Sequence, residues 1–143
     1  MNILRKVVTA GVALLAAAAL VACGAGALHS EQEASAATVV GAEELFAAYQ
    51  KDEAAADELY KGKLLRVSGL VDYVGTDLVL DAPQVILSGA AKDKARGVDC
   101  AFDTRYEKQV AKIEQGDKVT VLGTCEGSYK YNVLLRDCEP VEE

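Results

Sequence analysis

Apolar and polar residues alternate along this chain in three successive regimes. Val7 to Val21 is an uncharged run, interrupted only by Thr9 and Gly11. From Ala42 the period is helical: Leu45, Tyr49, Ala56 and Tyr60 share a stripe, with Phe46 and Leu59 beside it. Glu43 and Glu44 stand in the first turn, where the helix dipole favours acids, and Gly62 is a reasonable stop. After Gly62 the period becomes two. Leu65, Val67, Gly69, Val71 and Tyr73 alternate with Arg66, Ser68 and Asp72, which predicts a strand over Leu64–Val74. Gly69 in its middle predicts a bulge or strong bend.

Further strand pieces are predicted at Leu78–Asp81 and Gln84–Ser88, separated by Ala82-Pro83, where Pro83 forbids a smooth ladder. Gly89 to Gly97 is polar and reads as a loop, followed by a short strand at Val98–Asp103. Tyr106, Val110 and Ile113 mark a second helix that stops near Gly116-Asp117. Lys118–Cys125 and Tyr131–Asp137 are the last two strands, with Glu126–Lys130 expected to turn the chain. The fold class expected is mainly β with two helices. Five short strands with a helix between the third and fourth is the element order of an OB-fold, a five-stranded Greek-key barrel, here preceded by an N-terminal helix. A split hairpin sheet covered by two helices is the alternative.

The apolar run changes the picture of the first 22 residues. It follows Arg5 and Lys6, it is too short for a membrane span of about 20 residues, and it ends in Leu20-Val21-Ala22-Cys23-Gly24. That box resembles the lipobox of bacterial lipoproteins, in which the Cys thiol takes a diacylglycerol and becomes the mature N-terminus. The resemblance implies residues 1–22 as signal peptide, Cys23 as the lipidated residue, and a membrane partner reached through the lipid. It implies location in the bacterial cell envelope. Gly24 in place of Asp favours the periplasmic face of the outer membrane where two membranes exist. Residues 23–41 are rich in Ala, Ser, Gly and Glu and read as a flexible tether, leaving 42–143 as the folded domain. The only histidine, His29, falls in that tether, where no site would be preorganised.

Charge narrows the function. With Arg5 and Lys6 in the leader, 13 of the 15 basic residues remain against all 22 acidic ones, a net of −9. Nucleic-acid binding runs on Lys and Arg displacing counterions, so that charge disfavours it as a general activity. Without a histidine in the domain, no Ser-His-Asp or Cys-His pair can be assembled, and no phosphate-binding glycine loop is present. The carboxylates of Asp72, Asp77, Asp81, Asp99, Asp103 and Asp137 read as a solvated face rather than as catalytic pairs. No cofactor and no metal site is expected, because Cys-x-x-Cys is missing and imidazole ligands are lacking.

Three thiols remain in the domain: Cys100, Cys125 and Cys138. Outside the cytoplasm a disulfide is expected, with one thiol left over. A turn at Glu126–Lys130 would hold Cys125 and Cys138 roughly 20 Å apart at strand rise. That favours Cys100–Cys138, with Cys125 as the alternative partner.

Asp57, Tyr60-Lys61-Gly62-Lys63, Val67, Gly69 and Val71 resemble the opening of the tRNA_anti-like domain, an OB-fold group found in bacterial lipoproteins. The second half is similar too, in Val98-Asp99-Cys100-Ala101-Phe102, Gly116-Asp117-Lys118-Val119-Thr120-Val121, Gly123-Thr124-Cys125-Glu126-Gly127 and Val133-Leu134-Leu135-Arg136-Asp137-Cys138. The likeness covers roughly 42–140, and Thr76–Gly97 departs most from it. It implies a barrel and carries over no catalytic residue. An OB barrel binds on strands two and three and on the loops joining one to two and four to five. In this chain that selects Tyr73, Asp77, Leu78, Leu80, Phe102, Tyr129, Lys130 and Tyr131. The reading is a non-enzymatic binding module for a protein, peptide or glycan in the envelope. A single-stranded nucleic-acid-binding domain is the alternative, and an envelope enzyme using paired carboxylates comes third.

Overall fold

The computed structural model describes residues 28–89 and 96–142. The signal segment, Cys23 and the centre of the 89–97 loop lie outside the described residues. In chain order the elements are α1 (Glu31–Ala36), β1 (Thr38–Gly41), α2 (Ala42–Lys51), α3 (Glu53–Tyr60), β2 (Leu64–Asp77), β3 (Ala82–Ser88) and β4 (Gly97–Phe102). A 3-10 turn (Thr104–Tyr106), α4 (Glu107–Val110), β5 (Lys118–Tyr129) and β6 (Asn132–Val141) complete the chain.

The first half of β2 (Leu64–Leu70) pairs antiparallel with β5, and the second half (Val71–Asp77) pairs with β3. One long coiled strand thus serves two sides of a barrel. The changeover falls between Leu70 and Val71, just past the bend expected at Gly69, and glycine at 69 has a packing reason. A Cβ there would come within 2.7 Å of the Ala42 Cβ at the start of α2. β3 pairs with β4, and β4 closes onto β6 in parallel. The result is a closed five-stranded barrel, the OB-type architecture, with β1 added in parallel on the edge of β2. Its interior is filled by Leu65, Val67, Val85, Leu87, Val98, Val121, Val133, Leu135 and the three cysteines, with Leu45, Phe46 and Tyr49 of α2 packed on the cluster.

The structure corrects several expectations. Residues 31–41 are not a free tether. Ser30 caps α1 in a reciprocal capping box with Glu33, and β1 pairs Val40 with Val67, burying it. The helix expected from Ala42 is two helices, because Asp52 adopts an extended backbone and its carboxylate accepts from Ala55 N at 3.0 Å, capping α3. Leu78–Asp81 is a turn, not a strand: Leu78 and Val79 are 93% and 91% exposed, and Asp77 Oδ1 accepts from Val79 N and Leu80 N. The second helix is shorter than its apolar spacing suggests. The last hairpin turns at Lys130-Tyr131, beyond the predicted Glu126–Lys130, with Lys130 at φ 56 and Tyr129 paired with Asn132. Its strands reach further because two register shifts, at Leu122/Thr124 and Cys125/Gly127, interrupt the alternation without ending the ladder.

Candidate functional site

β2 supplies the first wall of the site. Tyr73, Gly75 and Asp77 share one face of the strand, since side chains alternate with period two. The Tyr73 ring lies across Gly75, where any Cβ would collide with its hydroxyl and ring carbons. Glycine at 75 therefore lets the ring rest flat on the sheet, with Tyr73 44% exposed. The neighbouring strands contribute Gln84 and Ile86 from β3, Asp99 from β4, and Leu134 and Arg136 from β6. The β2–β3 turn, with Leu78 and Val79, forms one rim, and Tyr129 at the β5–β6 hairpin forms the other. Together they enclose a concave space of about 610 Å³ on the side of the barrel.

The floor is polar and tightly organised. Gln84 Nε2 donates to Asp99 Oδ1 at 2.8 Å. Arg136 Nε lies 3.2 Å from Glu126 Oε2, and Arg136 Nη1 lies 3.8 Å from Asp77 Oδ2. Nη1 is itself buried and has no hydrogen-bond acceptor among the described residues. Burial raises the Asp99 carboxyl above its ordinary value, and the nearby Asp77 charge pushes the same way, while Gln84 and Arg136 pull it down. At the hairpin tip two cations lie over tyrosine rings: Lys130 Nζ is 5.3 Å from the Tyr129 centroid, and Arg96 Cζ is 4.6 Å from that of Tyr131.

Of the residues selected from the sequence, Tyr73, Asp77, Leu78 and Tyr129 line the concave space. Lys130 and Tyr131 stand at its hairpin tip, outside the lining. Leu80 belongs to an adjoining dent with Asp103 and Asp137. Phe102 is a correction: at 2% exposure it is a core residue of the barrel and presents nothing to a ligand. Sequence reasoning missed Gln84 and Arg136 and read Asp99 only as part of a solvated carboxylate face. Each sits in a predicted strand, and alternation with buried Val85, Cys100 and Leu135 marks all three as outward-facing.

Among the described residues the cysteines Cys100, Cys125 and Cys138 are free thiols, all buried. Cys125 pairs with Leu135 in the hairpin, so the distance argument built on a turn at Glu126–Lys130 does not hold. Side-chain direction separates the thiols instead. Cys125 Sγ lies 3.6 Å from the Tyr49 hydroxyl, and that hydroxyl donates to Asp57 at 3.0 Å. Burial, then the Cys125 thiol and the Asp57 carboxylate, pushes the Tyr49 phenol up. Cys138 faces Cys100, and burial holds its thiol well above the ordinary value. Among the described residues no group of three His, Cys, Asp or Glu side chains is arranged to hold a metal ion.

The family described as tRNA_anti-like matches residues 1–139. The chain belongs to the tRNA_anti-like family. Among solved structures, a candidate nucleic acid-binding lipoprotein from Klebsiella pneumoniae subsp. pneumoniae is similar at a TM-score of 0.63 and 13% identity, over 80% of this chain and 99% of that one. The OBody NL8, in complex with hen egg-white lysozyme, is similar at a TM-score of 0.40 and 17% identity, over 56% of this chain and 96% of that one. No curated protein matches the chain. The tRNA_anti-like assignment fixes the barrel, and at 13% identity the Klebsiella likeness speaks to fold alone. No helix of the described residues is long and apolar enough to cross a membrane.

Proposed function

We propose that this tRNA_anti-like chain is an envelope lipoprotein, anchored through Cys23, whose barrel side binds a peptide or glycan without catalysing a reaction. One observation carries the reading. Arg136 Nη1, buried at the floor of the concave space, lacks a hydrogen-bond acceptor among the described residues, since the Asp77 carboxylate it is ion-paired with stands at 3.8 Å, beyond hydrogen-bond distance. A ligand carbonyl or hydroxyl would supply that acceptor. Around it stand the features of a binding groove: a flat exposed tyrosine, an apolar rim of Leu78 and Val79, and the ordered Gln84–Asp99 pair. Catalysis by paired carboxylates finds less support, because Gln84 and Arg136 already engage Asp99 and Asp77 in fixed contacts.

The cation-bearing tyrosines at the hairpin favour a second reading, single-stranded nucleic acid stacked on Tyr129 and Tyr131. The Klebsiella protein of the same fold, a candidate nucleic acid-binding lipoprotein, supports the same reading. Against it stand the floor carboxylates Asp77, Asp99 and Glu126, which repel phosphates.

The test is an NMR titration of the chain with a panel of neutral oligosaccharides, peptides and an oligothymidylate at low salt. Shifts centred on Tyr73, Gln84 and Arg136 with a peptide or glycan are expected. Gly75→Ala, which forces the Tyr73 ring off the sheet at an ordinary backbone position, should weaken that binding about tenfold while leaving the fold intact. Salt-sensitive shifts with oligothymidylate alone, centred on Tyr129 and Tyr131, would replace this reading with the second.

A further inference from the structure

Cys100 on β4 and Cys138 on β6 are both fully buried, on strands that pair directly in the barrel. The ladder shifts register between Cys100 and Phe102, and Asp137 adopts φ 51 just before Cys138. Those two irregularities turn Cys138 into the barrel interior, where Cys100 of the directly paired strand is also buried. Space for the sulfur comes from β5, where a Cβ on Gly123 would approach Cys138 Sγ to 2.6 Å. The third thiol is engaged elsewhere, with Cys125 Sγ against the Tyr49 hydroxyl.

We propose that Cys100 and Cys138 are an oxidisable pair that closes into a disulfide in the exported protein and leaves Cys125 as its one free thiol. The proposal rests on the envelope reading above. In the reaction the two thiols lose two protons and two electrons and one S–S bond forms. The acceptor is the disulfide of a thiol–disulfide oxidoreductase, reduced to a dithiol. The thiolate is the species that exchanges, and both sulfurs are inaccessible in the closed barrel, so oxidation precedes barrel closure. The bond would cross the parallel β4–β6 pairing, the seam that closes the barrel. It would also lie directly behind the ligand floor, because Asp99 precedes Cys100 and Arg136 stands two residues before Cys138, both facing outward. The oxidised chain would therefore hold those two side chains at a fixed separation.

The full chain, produced in a bacterium that processes lipoproteins, is quenched in acid, alkylated without reductant and mapped by mass spectrometry. Cys23 is an internal control, since a lipidated thiol takes no label. The expected result is Cys23 unlabelled, Cys125 labelled and Cys100 joined to Cys138. Cys125→Ala should leave the cross-link in place, and reduction should lower the thermal midpoint by more than about 5 °C. Unlabelled Cys23 together with labelled Cys100 and Cys138, or a cross-link that contains Cys125, overturns the pair. A labelled Cys23 overturns the envelope reading instead. The same chain is then refolded in a glutathione redox buffer, where the pair stands or falls on whether Cys100–Cys138 forms.

Discussion

Asp99 shows how one residue carries both the stability and the chemistry of the site. Its carboxyl stands above the ordinary value of 3.8, chiefly because burial disfavours its charge. A raised folded value means that the folded state binds the proton more tightly than the unfolded one. The stabilisation from Asp99 is therefore complete below 3.8 and is lost as pH rises through the raised value. Asp99→Asn cannot ionise and keeps an oxygen for Gln84. Its stability relative to the parent should increase on going from below pH 3.8 to neutrality, with most of the change just above 3.8. Urea midpoints for both proteins across that range measure it, and a constant difference would remove burial as the cause. Alternation with buried Cys100 already marks Asp99 as outward-facing. What the linear pattern lacks is the distance from Asp99 to Gln84 and Arg136, which are far apart in the chain.

At the scale of elements, Asp52 divides what the apolar stripe presents as one helix. The stripe from Leu45 to Tyr60 is continuous in spacing, yet an Asp side chain competes for backbone N–H groups and favours caps. Asp52→Ala removes the acceptor for Ala55 N and should cost about 0.5–2 kcal/mol in chemical denaturation. An unchanged midpoint would assign the break between α2 and α3 to packing alone. The hairpin at Lys130-Tyr131 teaches the converse. Glu126 to Lys130 has turn-like composition, and Gly127 does adopt φ 93. In the barrel that glycine is a bulge within β5, lying against Asp57 and Lys61 of the α3 end. Turn chemistry and bulge chemistry use the same residue types, so composition alone could not separate them.

For the whole molecule, the point at which the N-terminal segment leaves the barrel matters most. Glu139 on β6, only 8% exposed, accepts from Leu28 N at 2.8 Å and from the Tyr106 hydroxyl at 3.1 Å. A lipid on Cys23 would therefore be separated from a fixed point on the barrel by five residue steps, a reach of at most about 18 Å. The domain would ride close to the lipid surface, where the sequence alone suggests a longer leash ending at residue 41. Glu139→Ala removes the acceptor shared by Leu28 N and the Tyr106 hydroxyl and should cost about 0.5–1.5 kcal/mol, with the slope of the denaturant transition unchanged. It should also speed proteolysis in residues 28–36. A variant as stable and as resistant as the parent would mean that β1 pairing alone holds the segment.

Periodicity by itself determined the strands of the barrel and their inward faces, because side-chain alternation is a local property of the backbone. The family resemblance adds the closure, and the structure bears it out. The remainder was decided by tertiary contacts. Val40 reads as part of a loose Ala- and Ser-rich stretch until β2 offers it an edge to pair with. Phe102 reads as a stacking aromatic until the closed sheet places it inside. The partnership of Cys138 with Cys100 depends on two register irregularities that no pattern of residues announces, since a bulge arises from how strands meet and not from either strand alone.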